Sequence, residues 1–450
     1  MAARTSRSAR SGSSTETATL LKAAPPASSR QSTALSAFTA TKSSPAGLSR
    51  TPLHRPGDHL PEPGRPRSTR HQLLSTRTPR SADTGTRTCR RRAASPSRSR
   101  ALLDFRTGAP PGRLAAVLGD GLPSPRTIAA VRAAVTSEVL SRHVARISGI
   151  EPLVEGKPLK VRSRDASAAD NARVVEALAR RFEDLGLTVR LHPFRWRGHR
   201  LLNVEAEHRV PGAESTVLIT AHMDSTAANG DFVDADGDPR PYDPAVDPAP
   251  GADDDGSGTA AVMAAAECLR GLLDDGREPT RNVRFVLFNA EEQGLVGSKF
   301  YARAAAAAGD RIAGVFQMDM IAGRQQGSSP VVEIHAGSLV PGPVVSASDA
   351  LGERVARTVP VIDSGVTVQQ LTGPADPAAG RSDHASFHER GWAAVAVSED
   401  LFSTPDGDPG TGTRQYHTPG DTLLDPDHNP EFAATVARSV IATALAFAGL

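Results

Sequence analysis

His222 and Asp224, two residues apart, follow the apolar run STVLITA, and Glu291 and Glu292 follow VRFVLFNA. Asp319 follows GVFQM, His417 lies on a loop after AAVAVSED, and Asp253, Asp254 and Asp255 stand directly before a helical pattern that opens at Gly256. Carboxylates and imidazoles are the donors a divalent cation takes. Singly, each signal is weak. A lone histidine is more often structural, a run of acids before a helix suits the positive end of its dipole, and a glutamate pair is usually surface charge. A charge at the end of a buried strand, by contrast, is costly without a partner. The conjunction is therefore more specific than its parts: ligand-type residues recur at one strand end after another, with a spare glutamate beside one of them.

The segments that must position these groups are short and apolar. LTVRLHPFRW alternates like a strand, LLNVEAEH follows it, and STVLITAH and NVRFVLFNA are continuous apolar runs of the buried parallel kind. GVFQMDMIA, VVEIHAG, VTVQQL and AAVAVS add further strands. Helical spacing marks TIAAVRAAVTSEVLSRHVARISG, DASAADNARVVEALARRFEDLG with Asp170 or Asn171 as its cap and Gly186 as its stop, GSGTAAVMAAAECLRGLL, GLVGSKFYARAAAAA and EFAATVARSVIATALAFAG. Strands alternating with helices predict an α/β fold with a mixed, mostly parallel central sheet flanked by helices on both faces. One domain is expected over residues 127–450. Ligand sites of such sheets gather beyond the carboxyl ends of the strands, where the candidate residues fall.

AHMDS (221–225), PGADDDGSGTA (250–260), NAEEQGLVGS (289–298), QMDMIA (317–322), SDHASF (382–387) and YHTPGDT (416–422) occur in that order. Together they resemble the signatures of metallopeptidase family 28, the aminopeptidase-Y-like di-zinc exopeptidases of phosphorylase/hydrolase-like fold. The resemblance covers about 135 to 450. It implies two Zn2+ per chain, with His222 and Asp319 on one, Glu292 and His417 on the other, and Asp253 bridging both. It implies that Asp224 orients the His222 imidazole, that the Asp253–Asp254 peptide is cis, and that Glu291 is the general base. Tyr416 matches a tyrosine that steadies the oxyanion in some members. Asp254, Asp383 and His384 would lie behind the ligands or in the pocket wall, a purely structural role being the alternative for Asp383 and His384. The implied reaction is release of the N-terminal residue from peptides with a free N-terminus, through an activated water. A glutaminyl cyclase-like acyltransferase, a carboxypeptidase and a non-catalytic binding domain on the same scaffold are the competing readings.

An insertion between His222 and Asp253 carries Asp234, Asp236 and Asp238, which alternate as calcium-loop oxygens do. Pro239 stands where such a loop needs glycine, and no glutamate follows at the twelfth position, so a solvated acidic loop at the active-site mouth is the favoured reading over Ca2+.

Net charge hides a split. Residues 1–100 carry 19 Lys+Arg against 4 Asp+Glu, and the remaining residues 33 against 46. Residues 1–110 lack apolar periodicity and are expected to be a disordered basic arm rich in Ser, Arg and Pro. One aromatic residue, Phe38, falls in the first hundred, which argues against nucleic-acid binding by base stacking. No run of about 18 apolar residues predicts a membrane span. Two cysteines, Cys89 and Cys268, leave the redox compartment open. Family resemblance points to secretion, whereas Met1 is followed by no apolar signal segment, which points to the cytoplasm. A monomer is the expected state.

Overall fold

In the computed structural model, residues 121–404 and 408–450 are described, and all belong to one unit, Pro96–Leu450. The expected arm lies outside them. Helix α1 (Pro125–Ala134) is capped by Ser124, whose hydroxyl accepts from Thr127 N at 3.1 Å. The helical run expected to continue from there is broken. Thr136 starts α2 (Ser137–Ile147) by accepting from Val139 N, because a capping hydroxyl satisfies amides that a continuous helix would not leave open.

Helix α3 (Ala169–Asp184) departs from expectation at its start. Ala168 is its cap residue, and neither Asp170 nor Asn171 caps it. Asp170 instead accepts from Arg162 N at 2.9 Å, and Asn171 bonds reciprocally with Asn289 at 2.8 and 3.0 Å, so tertiary partners take both side chains. Gly186, with φ +76, ends the helix as its spacing predicted: its N–H donates to Glu183 O at 2.8 Å and that of Leu187 to Phe182 O.

The predicted strands all form. β1 (Thr188–Trp196), β2 (His199–His208), β3 (Thr216–His222), β6 (Asn282–Phe288), β7 (Ile312–Met318), β8 (Val331–His335), β9 (Thr367–Leu371) and β10 (Ala394–Glu399) make one sheet in the order β1-β2-β6-β3-β7-β10-β8-β9. Its four central strands, β6, β3, β7 and β10, are mutually parallel, while β2 and β8 pair antiparallel at their flanks. β4 (Phe232–Val233) and β5 (Pro239–Arg240) form a separate ribbon within the insertion.

Alternation along the central strands feeds two cores. Val217, Ile219 and Ala221 with Val283, Phe285 and Leu287 pack on the side of α4 (Gly256–Asp274) and α8 (Pro430–Phe447). Leu218, Val286, Phe288 and Val315 pack on the side of α5 (Val296–Ala308) and Phe387 of α7 (His384–His388). Helix α6 (Pro343–Ile362) packs with the first set. This is the mixed α/β sheet with helices on both faces that the alternation of segments predicts. It leaves the carboxyl ends of β3, β6, β7 and β10 together at one edge.

Candidate metal and active site

Each central strand delivers its chemistry at its last residue or just beyond. β3 ends on His222, β6 runs into Asn289–Glu292, β7 into Asp319, and β10 ends on Glu399. Two residues beside these groups adopt left-handed backbone, Ala290 with φ +58 and Met320 with φ +53, and His417 itself has φ +56. Non-glycine residues enter that region at a cost and only where surroundings hold them, which is common at functional sites.

Asp254 lies between the two imidazoles. Its Oδ1 is 3.2 Å from His222 Nε2 and its Oδ2 is 3.1 Å from His417 Nε2. Asp319 Oδ1 is 3.5 Å from the same His222 nitrogen, and Glu292 Oε2 is 2.9 Å from that of His417. The five side chains thus form two donor sets that share the Asp254 carboxylate.

Here the sequence expectation is corrected. Asp253 does not lie between the imidazoles: its Oδ1 accepts from Ala322 N at 2.8 Å, and its carboxyl neighbours that of Glu399. The cis peptide is likewise one position later than expected, between Asp254 and Asp255. Helix geometry is the cause. Asp255 is the N-cap of α4, accepting from Gly258 N at 2.9 Å, and its other oxygen accepts from His222 N at 3.0 Å. With Asp255 committed to the backbone, Asp254 faces the histidines. Oxygens of Asp255 also approach His222 and Asp319. They are spent on the amides of His222, Gly258 and Met320, so the Asp254 set is the better seat for a cation.

Several groups fix this cluster from behind. Asp224 faces His222 Nδ1 at 3.7 Å and accepts from the amides of Glu291 at 3.1 Å and Glu292 at 3.3 Å. Asp421 accepts from the amides of Asp253 at 2.8 Å and Asp254 at 3.0 Å. Ser382 donates to Asp319 Oδ2 at 2.6 Å. Arg164, fully buried, donates to the carbonyls of Met223 at 2.8 Å, Gly251 at 2.7 Å, Ile147 and Pro250, and so clamps together the loops that carry Asp224 and Asp254. Asp255, Asp421, Arg164, Ser382 and Glu399 carried no assigned role in the sequence. Asp255 could have been found from the capping rule, since an aspartate directly before a helix start is the preferred cap. Asp421 lies within YHTPGDT, but nothing in that motif distinguishes a backbone clamp.

The electrostatics favour a cation. Burial would raise the Asp254 carboxyl, yet hydrogen bonds from His222 and His417 hold it well below the usual carboxylate range. Burial, then the Asp254 charge, pushes Glu292 up to about 7. Burial and the neighbouring Asp383, Glu292 and Asp319 push Glu291 well above its ordinary value. Burial opposes a proton on His417, but Glu292 and Asp254 raise it to about 10. More buried carboxylates than imidazoles converge here, and the buried Glu292 Oε1 accepts no hydrogen bond. A group of that kind needs positive charge. Nitrogen and oxygen donors with both imidazole Nε2 atoms turned inward suit a divalent metal, so the residues fit one.

The remaining expected site residues divide. Tyr416 stacks on His417 with ring centroids 3.7 Å apart. Asp383 is buried and feels both His222 and Asp319, and burial pushes it up to about 7. His384 turns elsewhere, edge-on to His388 at 5.3 Å with both ring nitrogens buried and unbonded. Asp234, Asp236 and Asp238 stand apart: Asp234 Oδ1 accepts from the amides of Asp236 at 2.9 Å and Asp238 at 3.0 Å, which closes a turn. Among the described residues, the places where three or more ligand-type side chains converge do not include them. The insertion does border the site, as expected: Asn229 N donates to His417 O at 2.8 Å.

Residues 203–443 match the model of Peptidase family M28. Leucine aminopeptidase 1 of Coccidioides posadasii is 31% identical over 250 residues, which cover 54% of this chain and 55% of that protein. The chain thus spans about half the length of the relatives it matches. The crystal structure of the Legionella pneumophila LapA aminopeptidase superposes with a TM-score of 0.55 at 21% identity, covering 73% of this chain and 76% of that one. The Porphyromonas gingivalis glutaminyl cyclase superposes with a TM-score of 0.50 at 17% identity, covering 69% and 97%. Likeness at that level is a likeness of fold, and the two neighbours carry different names on one scaffold. The family match spans more than half of the sequence and all of the residues that converge at the sheet edge: the chain belongs to peptidase family M28.

Proposed function

We propose that the protein is a zinc-dependent aminopeptidase, with one catalytic domain over about 127–450. The observation that carries the reading is the Asp254 carboxylate, one oxygen toward each of two imidazoles. His222, Asp254 and Asp319 would hold one zinc, and His417, Asp254 and Glu292 the other. Bound zinc supplies Lewis acidity and lowers the pKa of water. Asp224 stands behind His222, 3.7 Å from Nδ1, and its charge would favour the tautomer that turns Nε2 inward.

Glu291 is the general base. It is buried among carboxylates and hydrogen-bonds neither imidazole, so its lone pairs are open to a proton. It takes a proton from the attacking water and passes it to the nitrogen of the leaving amine, which balances the hydrolysis. The Tyr416 phenol, held protonated by burial and by Asp254, Glu292 and Glu291, donates to the oxygen that gains charge. Peptides with a free N-terminus are the substrates, because the carboxylates at the sheet edge attract an ammonium group. Export is the localisation we favour by family, and no described helix is long and apolar enough to cross a membrane.

The test is hydrolysis of aminoacyl anilides by zinc-loaded protein, with and without chelator, beside C-terminally unblocked acyl peptides and a peptide with N-terminal glutamine. Chelator-sensitive release of the anilide supports the reading. Cyclisation of glutamine, or release of C-terminal residues alone, overturns it.

A further inference from the structure

A cavity of about 640 Å3 opens beside the site, with Tyr416 and the neighbouring Asn229 of the insertion in its wall. Its described charged residues are Arg381, Asp408 and Arg414. Arg414 is neutralised by Asp427, which takes its Nε at 2.7 Å and its second nitrogen at 2.9 Å. Asp408 is engaged by its own turn, accepting from Gly410 N at 3.0 Å. Arg381 differs. Its guanidinium lies over the Phe402 ring, 4.9 Å from the centroid, and among the described residues it has no carboxylate partner. Stacking holds the group in place without discharging it. The residue is also anchored close to the chemistry, since the next residue, Ser382, donates to Asp319.

From this we infer that Arg381 is a specificity residue that receives a carboxylate of the peptide substrate. The inference rests on the aminopeptidase reading. A guanidinium held in the wall of the adjoining cavity offers the planar fork that matches a carboxylate. The carboxylate could come from an acidic side chain at the N-terminal residue or from the C-terminus of a dipeptide. Both present the same chemistry.

Two matched pairs of substrates separate these sources: Asp-Ala-amide with Asn-Ala-amide, and Leu-Ala with Leu-Ala-amide. Zinc-loaded wild type, Arg381→Ala and Arg381→Lys are compared by kcat and KM. In at least one pair, Arg381→Ala is expected to lose tenfold or more in kcat/KM on the anionic member, through KM, and less than twofold on the neutral member. Arg381→Lys recovers part of the loss. The responding pair identifies the source. Equal losses on both members of each pair, or none on either, overturn the inference while leaving the aminopeptidase reading intact. Wild type that hydrolyses none of the four peptides overturns that reading, and the inference with it.

Discussion

Glu291→Gln keeps the shape of the side chain and removes its proton affinity. Zinc content measured by mass spectrometry is expected to stay at the wild-type level while kcat falls about 10²- to 10⁴-fold. Full turnover would remove Glu291 as the base. The two neighbouring aspartates provide a sharper test. Asp254→Asn should lose bound metal, because one oxygen toward each imidazole becomes a neutral amide. Asp253→Asn should retain it, because that side chain meets Ala322 N and Glu399 rather than a histidine. Metal retained in Asp254→Asn and lost in Asp253→Asn would return the bridging role to Asp253. At this scale the sequence pointed to four of the five side chains that converge around Asp254. His222, Glu292, Asp319 and His417 were readable because each follows a buried strand or lies in a distinctive motif. Three consecutive aspartates offer no such contrast, and only the capping geometry of Asp255 sets the register between them.

Among the elements, the strands were legible because buried parallel strands are short unbroken apolar runs and their boundaries follow from burial alone. Helix starts were less so. The break after α1 comes from a local cap, Thr136 on Val139 N, that helical periodicity hides, and the uncapped start of α3 from side chains recruited by distant partners, such as Asn171 by Asn289. Arg164 is the extreme case. Nothing near it in sequence marks a buried cation, because its partners are carbonyls 17 to 87 positions away. Arg164→Ala leaves those carbonyls without donors in the interior. It is expected to cost about 3–5 kcal/mol, measured by denaturant unfolding of the metal-loaded protein. A loss below about 1 kcal/mol would show that solvent replaces the guanidinium.

For the whole molecule, the site makes stability depend on pH in a direction that metal reverses. In chelated protein, Glu292 holds its proton to about pH 7 and Asp253 to about 6, whereas unfolded carboxyls release theirs near pH 4. The folded chain then binds more protons than the unfolded one, so stability falls as pH rises from about 4.5 to 7. His417, raised to about 10, acts in the same direction above its unfolded value of about 6.5. Metal binding demands deprotonated ligands and so strengthens with pH. The gap in Tm between zinc-loaded and chelated protein should widen from pH 5 to pH 8; a gap that is constant or narrows would mean that these carboxyls do not titrate with folding. The order of the cluster along the chain has a further consequence. Asp421, which grips the amides of Asp253 and Asp254, and His417, which completes the second donor set, come later in the chain than every other member of the cluster. A polypeptide still emerging from the ribosome therefore carries His222, Asp254, Glu292 and Asp319 before it carries His417, and it lacks the second imidazole and the Asp421 clamp until translation has passed residue 421.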